Sequence, residues 1–327
     1  MLKTIHAPHL GRTVKFGRRR PVAVGPQFRL SNYLRASLPP APATADYGAP
    51  AQAVLADIMG NDVRGDCVIA GGYHIVGVET GNAGNLFHAT PAQVDKDYSA
   101  IGGWVPGDEA TDTGCDEPTA LNFWTQHGFA NGTKLLGWLA VDPSNRQELM
   151  AACYLFENLF FGIELPDAWV NPFPSGNGFV WDVAGDPVPE NGHAVMGYGY
   201  GDRGVKIDSW ALDGVLTWPA IAKYCARTAN GAVYVLLTPD QLAKGAAKAP
   251  NGVAWHDLIV DFDAMGGHVP VPPAPTPPPI PPPTGPLTLA QAEALVALAI
   301  NHSPSIMTRA MAIKAVNATL AANWPKS

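Results

Sequence analysis

The segment that most restricts the fold of this chain runs from Asn61 to Gly72 and reads NDVRGDCVIAGG. A glycine-containing loop here places one cysteine, Cys67, at the start of an apolar stretch that is compatible with an α-helix. The positive end of a helix dipole lies at its N-terminus, where it lowers the pKa of a thiol and increases the thiolate fraction. The sequence therefore predicts a reactive Cys67, and the rest of the chain can be searched for the groups that such a thiolate needs.

A second motif, at residues 191–210, supplies those groups. NGHAVMGYGY predicts a strand with His193 near its start, GDRG predicts a turn, and VKIDSW predicts the returning strand. A β-hairpin of this kind brings His193 and Asp208 onto neighbouring strands. A symmetric hairpin does not place the two residues opposite each other, so a bulge or a diagonal contact is required. The sequence leaves that choice open.

The order Cys67, His193, Asp208, with GDC, GHAVMGYG and DSW around them, resembles the papain-like cysteine peptidase superfamily over roughly residues 55–240. The resemblance implies an α+β, two-lobed papain-like fold of a divergent bacterial or phage-type member. A helical lobe would carry the cysteine, and an antiparallel β lobe would carry the histidine and the aspartate. Two of the implied site residues depart from the family: Asn61 stands where a glutamine is usual, and Asp208 where an asparagine is usual.

The resemblance also implies roles for individual residues. Cys67 would be the nucleophile, His193 would hold its thiolate as an ion pair and later protonate the leaving amine, and Asp208 would orient the imidazole. The Cys67 backbone N–H and the Asn61 amide would stabilise the oxyanion. No cofactor or metal is implied. The residues expected at the substrate cleft are Gly114, Asp116 and Trp210, the last of which would shield the His–Asp contact from water.

Two further residues could be mistaken for catalytic groups. His74 lies beyond Cys67 on the same predicted helix, and Cys115 lies beside the predicted cleft. We expect His74 to be a packed or half-exposed helix residue and Cys115 to be a packed thiol.

Charge is distributed unevenly along the chain. Residues 1–45 hold eight Lys and Arg and no Asp or Glu, so that the remaining residues hold 13 basic and 28 acidic side chains. The acidic body argues against a nucleic-acid groove in the catalytic domain. The basic arm has two interpretations. It could be a propeptide that blocks the cleft, or a surface-wrapping extension that could adhere to nucleic acid or an envelope.

These patterns predict four segments. Residues 1–50 form the basic arm, 51–268 the catalytic domain, 269–286 a proline-rich linker and 287–327 a small helical hairpin. The linker has eleven prolines between Pro270 and Pro286 and should adopt a stiff polyproline II conformation. The hairpin is too small to be stable alone, so we expect it to dock on a dimer mate, a larger assembly or a cell surface.

The cysteines and the N-terminal sequence indicate a cellular location. Residues 1–8 lack the apolar core of a signal peptide, and no apolar span long enough for a transmembrane helix is found. Secreted relatives in the family commonly have a disulfide cysteine where this chain has Arg64, which suggests a reducing compartment. The sequence thus predicts cytoplasmic synthesis without a signal peptide, with virion association or phage-type export left open.

The function predicted from the sequence is hydrolysis of peptide or amide bonds, on cell-wall peptides or on assembly partners. One alternative is an inactive papain-fold protein that serves as a structural component of a virion or surface complex. A second alternative is a transglutaminase-like acyltransferase, which would use the same Cys-His-Asp chemistry and pass the acyl group to an amine.

Overall fold

In a computed structural model, the chain divides into two units, Met1–Pro270 and Val271–Ser327. The structure describes residues 2–21, 28–264 and 266, all of which belong to the first unit. The predicted proline-rich linker and helical hairpin therefore lie outside the described residues. No helix in the described part of the chain is long and apolar enough to cross a membrane.

The described residues form helices and strands of ordinary length. The α-helices are α1 (Gln52–Leu55), α2 (Cys67–Asn82), α3 (Pro91–Gly102), α4 (Glu117–His127), α5 (Arg146–Phe156), α6 (Asp167–Val170), α7 (Trp218–Tyr224), α8 (Pro239–Lys248) and α9 (Trp255–Ala264). The strands are β1 (Thr4–Ala7), β2 (Arg12–Lys15), β3 (Ala45–Asp46), β4 (Gly137–Ala140), β5 (Leu159–Glu164), β6 (Phe179–Trp181), β7 (Gly192–Tyr200), β8 (Gly204–Ser209), β9 (Leu212–Thr217) and β10 (Ala232–Leu237).

One large sheet positions the histidine and aspartate motifs. Its strand order is β4-β10-β5-β7-β8-β9-β6, and β3 pairs with β7 outside this path. The pairings are antiparallel except that of β6 with β9, which is parallel. Strands β1 and β2 form a separate hairpin. The predicted α+β fold is confirmed, but the parallel pairing of β6 with β9 departs from the predicted antiparallel lobe.

Helix α2 is the centre of the helical lobe. It is buried from Cys67 to Glu79 on every side, as expected for a helix whose residues are apolar all round. Gly72 lies against the Trp124 ring, with which a side chain at this position would collide, and a Cβ at Gly71 would lie 2.6 Å from Phe160. These two glycines, each unfavourable in a helix by about 1 kcal/mol, allow α4 and β5 to approach α2 closely.

The sheet separates two groups of buried apolar side chains. The first group surrounds α2 and includes Ala194 and Met196 of β7. The second group lies on the other face with α5, α7, α8 and α9, and includes Val195. Since neighbouring side chains of a strand point to opposite faces, this alternation along β7 determines which residues face α2.

Candidate active site

Cys67 is the first residue of α2, as the sequence predicted, and its side chain is buried. The preceding residue, Asp66, occupies the N-cap position but its side chain makes no capping hydrogen bond. Its Oδ2 instead accepts a hydrogen bond from Nε of Arg64 at 3.2 Å. Burial raises the pKa of Asp66 to about 7, and the Arg64 guanidinium opposes this shift.

The thiol of Cys67 is not activated in this arrangement. Burial raises its pKa to about 12, the backbone N–H of Ala194 partly opposes the shift, and the carboxyl of Asp66 adds to it. The prediction of a lowered pKa is therefore wrong for the structure as it stands. The physical reason is that removal of solvent disfavours a thiolate by more than one helix N-terminus can stabilise it.

His193 lies at the start of β7, where its ring is enclosed by aromatic side chains. The imidazole stacks on Trp210 with ring centroids 3.7 Å apart, and Phe16 contacts it edge-on. Its Nε2 lies 3.0 Å from Oγ of Ser209, whereas its buried Nδ1 has no hydrogen-bond partner among the described residues. Burial lowers the pKa of His193 to about 3, so the imidazole is neutral. The predicted thiolate–imidazolium ion pair is absent from this arrangement of the described residues.

Asp208 does not contact His193, which corrects the predicted orientation of the imidazole. The β7–β8 pairing contains a bulge between Gly197 and Gly199, and Asp208 is paired with Met196. Asp208 therefore shares the face of Met196, toward α2, whereas His193 is three residues away and points to the other face. The bulge that the hairpin required is present, but in this register it brings Ser209 and Trp210 to His193.

The carboxyl of Asp208 meets His74 instead. Oδ2 of Asp208 lies 3.3 Å from Nδ1 of His74, and Nε2 of His74 lies 2.8 Å from the Asp57 carbonyl, to which it must donate. A neutral imidazole has one N–H, so the Asp208 contact needs a second proton. Burial raises the pKa of Asp208 and lowers that of His74, which places this proton on Asp208.

His74 is thus packed, as expected. It is also the partner of the Asp208 carboxyl, a contact that was not predicted from the sequence. The available signal was spacing. Seven residues separate His74 from Cys67, close to two helical turns, so both residues lie on one face of α2.

The other predicted site residues are held by local hydrogen bonds. The Asn61 amide donates to the Arg64 carbonyl at 3.0 Å, so one of its two N–H groups is engaged within the loop before α2. The Asp116 carboxylate caps α4 by accepting from the Thr119 backbone N–H, so its visible role is structural. Gly114 lies against the Gly17 carbonyl, with which a side chain at position 114 would collide.

One small cavity joins most of the predicted residues. Its volume is about 20 Å³, enough for about one water molecule. The residues that line it include Asn61, Cys67, His74, His193, Asp208, Ser209 and Trp210. The fold therefore brings these distant motifs together, but leaves no room for a substrate beside the thiol.

The N-terminal arm takes up that room. The backbone of Gly17 lies at the Cys67 thiol, and a side chain on Gly17 would collide with the Gly65 carbonyl. The N–H groups of Gly17 and Arg18 donate to the Gly192 carbonyl at 3.2 and 3.0 Å. The Cys115 N–H donates to the Gly17 carbonyl, and the Arg19 N–H to that of Cys115, at 3.0 and 2.8 Å. The arm thus runs as an extended segment between the two lobes.

The cysteines of the described residues are all buried. Cys115 is a buried thiol whose pKa is raised by burial, in line with the expected packing role, and all four cysteines are free. Within residues 2–21, 28–264 and 266, no group of three or more His, Cys, Asp or Glu side chains could hold a metal ion.

Comparison with known proteins bears on the fold. No family model matches the chain, and no curated protein matches it by sequence. Among solved structures it is similar to xylellain, a cysteine protease from Xylella fastidiosa, with a TM-score of 0.55 and 15% identity over 69% of this chain and 97% of xylellain. Procathepsin L 3 from the Tenebrio molitor larval midgut gives a TM-score of 0.43 at 15% identity, over 64% of this chain and 75% of that protein. The likeness to xylellain, with the helix and sheet arrangement above, shows that this chain has a papain-like fold.

Proposed function

We propose that this chain is a cysteine peptidase that hydrolyses peptide or amide bonds, with Cys67 as nucleophile and His193 as general base. The observation that carries the proposal is that Cys67, at the start of α2, and His193, at the start of β7, line the same cavity. They are 126 residues apart in the sequence. A thiol and an imidazole at one cleft between two lobes are the pair that acyl transfer requires.

The proposed reaction has two halves. His193 accepts the Cys67 proton, and the thiolate attacks the carbonyl carbon of the scissile bond. The Cys67 backbone N–H supports the oxyanion, and the protonated His193 then gives its proton to the leaving amine. A water molecule, deprotonated by His193, hydrolyses the thioester and restores the thiol.

Ser209 is the group that positions His193 in this proposal, because its Oγ lies 3.0 Å from Nε2. Asp208 is held instead by His74 at 3.3 Å. For Asp208 to orient the imidazole directly, as the sequence suggested, its carboxyl would have to leave His74 and reach the face of the sheet on which His193 lies. Asn61 would support the oxyanion with the N–H that the Arg64 carbonyl does not use.

The proposal requires the arm to be displaced before a substrate binds. Gly17 lies at the thiol, and solvation of the opened cleft would return the pKa of Cys67 and that of His193 toward their ordinary values. This closed arrangement supports the propeptide interpretation of residues 1–50 over that of a surface-wrapping extension.

The alternative of an inactive papain-fold protein is favoured by one observation, the neutral Cys67 and His193 under the arm. A single assay separates it from the peptidase. Wild-type protein, the Arg18→Ala variant with a loosened arm, and the Arg18→Ala/Cys67→Ser variant are incubated with denatured casein and with peptide mixtures, and products are identified by mass spectrometry.

We expect cleavage by the Arg18→Ala variant, much slower cleavage by wild type, and none after Cys67→Ser. If Cys67 of the Arg18→Ala variant is open to alkylation yet no bond is cleaved, the peptidase proposal fails and the inactive alternative stands. Addition of a primary amine to the same reaction would reveal a transglutaminase-like enzyme as an amine-linked product. Cell-wall peptides and assembly partners are the substrates to test next.

A further inference from the structure

The Arg18 side chain fills a pocket inside the body of the protein. Neither its side chain nor that of Glu117 has any solvent exposure. Nε of Arg18 donates to Oε1 of Glu117 at 2.6 Å, and Nη1 donates to the Asn230 carbonyl at 2.9 Å. An arginine is rarely buried this completely unless a specific acidic partner receives it.

From this pocket we infer a substrate subsite: a buried cleft that recognises a basic side chain, arginine above all, through the carboxylate of Glu117. The inference rests on the proposed function and names the substrate class for that site. In this view Arg18 occupies the subsite as long as the arm is in place.

The pocket is shaped to hold a guanidinium beside a carboxylate. Gly162 of β5 forms one wall, and a side chain there would collide with both the Arg18 guanidinium and the Glu117 carboxyl. Gly192 lies against the backbone of the arm at the mouth of the pocket, where a side chain would collide with the Arg18 carbonyl. Only glycine leaves this space open at the two positions.

Arg18 satisfies the pocket incompletely. Oε2 of Glu117 and Nη2 of Arg18 are both buried and have no hydrogen-bond partner among the described residues. A guanidinium and a carboxylate can form two parallel hydrogen bonds, and this pair forms one. Oε2 of Glu117 therefore remains available as a second acceptor. A bound peptide whose backbone lies differently from that of the arm could donate to both carboxylate oxygens.

The pocket lies next to the reacting atoms. Arg18 follows Gly17, whose backbone lies at the Cys67 thiol. The arm is held by the Gly192 carbonyl and by both backbone groups of Cys115, which are groups that any extended peptide can use. A peptide that takes the place of the arm on these groups would put a side chain in the Arg18 pocket, within about one residue of the bond at the thiol.

Charge then determines which side chain the pocket accepts. An apolar side chain would leave Glu117 buried without a partner, and an acidic one would add a second negative charge. Breaking a buried ion pair by removing one partner is strongly unfavourable. We expect discrimination on the order of 100-fold between arginine and a neutral side chain of the same shape.

The test uses the full-length Arg18→Ala variant, in which the pocket is empty. Pairs of fluorogenic peptides differ only by arginine or citrulline at one position, because citrulline keeps the shape and lacks the charge. We expect kcat/KM to be about 100-fold higher for the arginine peptide, and this ratio to fall to within about 5-fold in Arg18→Ala/Glu117→Gln. Equal rates for the two peptides, or a preference that survives Glu117→Gln, would overturn the subsite.

Binding measured without catalysis separates this inference from the proposed function. The Arg18→Ala/Cys67→Ser variant is titrated with the same peptides by calorimetry. Tighter binding of the arginine peptide with no hydrolysis by the parent variant would support the subsite and refute the peptidase. Hydrolysis without any arginine preference in rate or binding would refute the subsite and leave the peptidase standing. Because the arginine and citrulline peptides are compared on one protein, the result holds even if a Glu117 variant does not fold.

Discussion

Loosening the arm should expose the thiol of Cys67, and Arg18→Ala is the change that removes the arm's fully buried side-chain anchor. It removes the buried guanidinium that pairs with Glu117 at 2.6 Å. The arm loses a buried partner, and the carboxyl left behind destabilises the closed arrangement by about 3–5 kcal/mol. The backbone hydrogen bonds to Gly192 and Cys115 remain, each contributing about 1 kcal/mol, so the open arrangement should become substantially populated.

The expected increase in the alkylation rate follows from the thiolate fraction of Cys67. A pKa of about 12 for Cys67 under the arm corresponds at pH 8 to a thiolate fraction of about 10⁻⁴. An ordinary thiol with a pKa near 8.5 has a fraction of about 0.2 at the same pH. The lower thiolate fraction alone therefore makes wild-type Cys67 about 2,000-fold less reactive, and Arg18→Ala should recover at least about 100-fold of this.

The assay is alkylation by iodoacetamide at pH 8, followed for each cysteine by peptide mapping. Cys153, buried in α5, is the internal control and should stay unreacted in both proteins. The matched variant is Arg12→Ala, since Arg12 is half-exposed and pairs with Asp62 at 2.8 Å. Because the Arg12 side chain is exposed to solvent, losing this pair should cost much less than losing the fully buried Arg18–Glu117 pair, so Cys67 should stay protected.

Two results would refute the reasoning. Rapid alkylation of Cys67 in the wild-type protein would show that the arm does not cover the thiol. Equal acceleration at Cys67 and Cys153 in Arg18→Ala would show that the body unfolds rather than that the arm leaves.

Three further predictions concern other parts of the molecule. Gly17→Ala should displace the arm by collision with the neighbouring backbone and raise Cys67 alkylation in the same assay; unchanged protection would contradict the close approach. Asp208→Asn should change the free energy of unfolding in urea by less than about 1 kcal/mol at pH 7, because Asp208 is protonated and an amide can donate in its place; a loss of 3 kcal/mol or more would indicate a charged pair. Glu79, whose pKa burial raises from 4.5 to about 7, keeps its proton in the folded state at pH values where the unfolded chain has lost it. The contribution of this group to the free energy of unfolding should therefore fall by about 3 kcal/mol as pH rises from about 4.5 to above 7. Urea unfolding at pH 5 and pH 8 should show that this part of the pH dependence is lost in Glu79→Gln and kept in the control variant Glu190→Gln. The same pH dependence of stability in both variants would refute the prediction.

Local sequence patterns determined the elements that carry the site. A loop with Gly65 before an apolar run predicted that a helix begins at Cys67, and it does. The glycine-rich turn between two β-prone stretches predicted the β7–β8 hairpin, because turn chemistry and strand propensity act within a few residues. Together with their order along the chain, these motifs indicated the papain-like fold that the structure has.

The tertiary structure decided which groups meet inside that fold. A one-residue bulge at Gly197 to Gly199 determines the face of the sheet on which Asp208 lies, and a period of two residues makes such a shift decisive. The partner of Asp208 is consequently His74. The thiol pKa was decided in the same way, since it depends on the burial that Gly17 completes from 50 residues upstream. Register and burial arise from packing between distant segments, and no pattern within a single segment of the sequence specifies them.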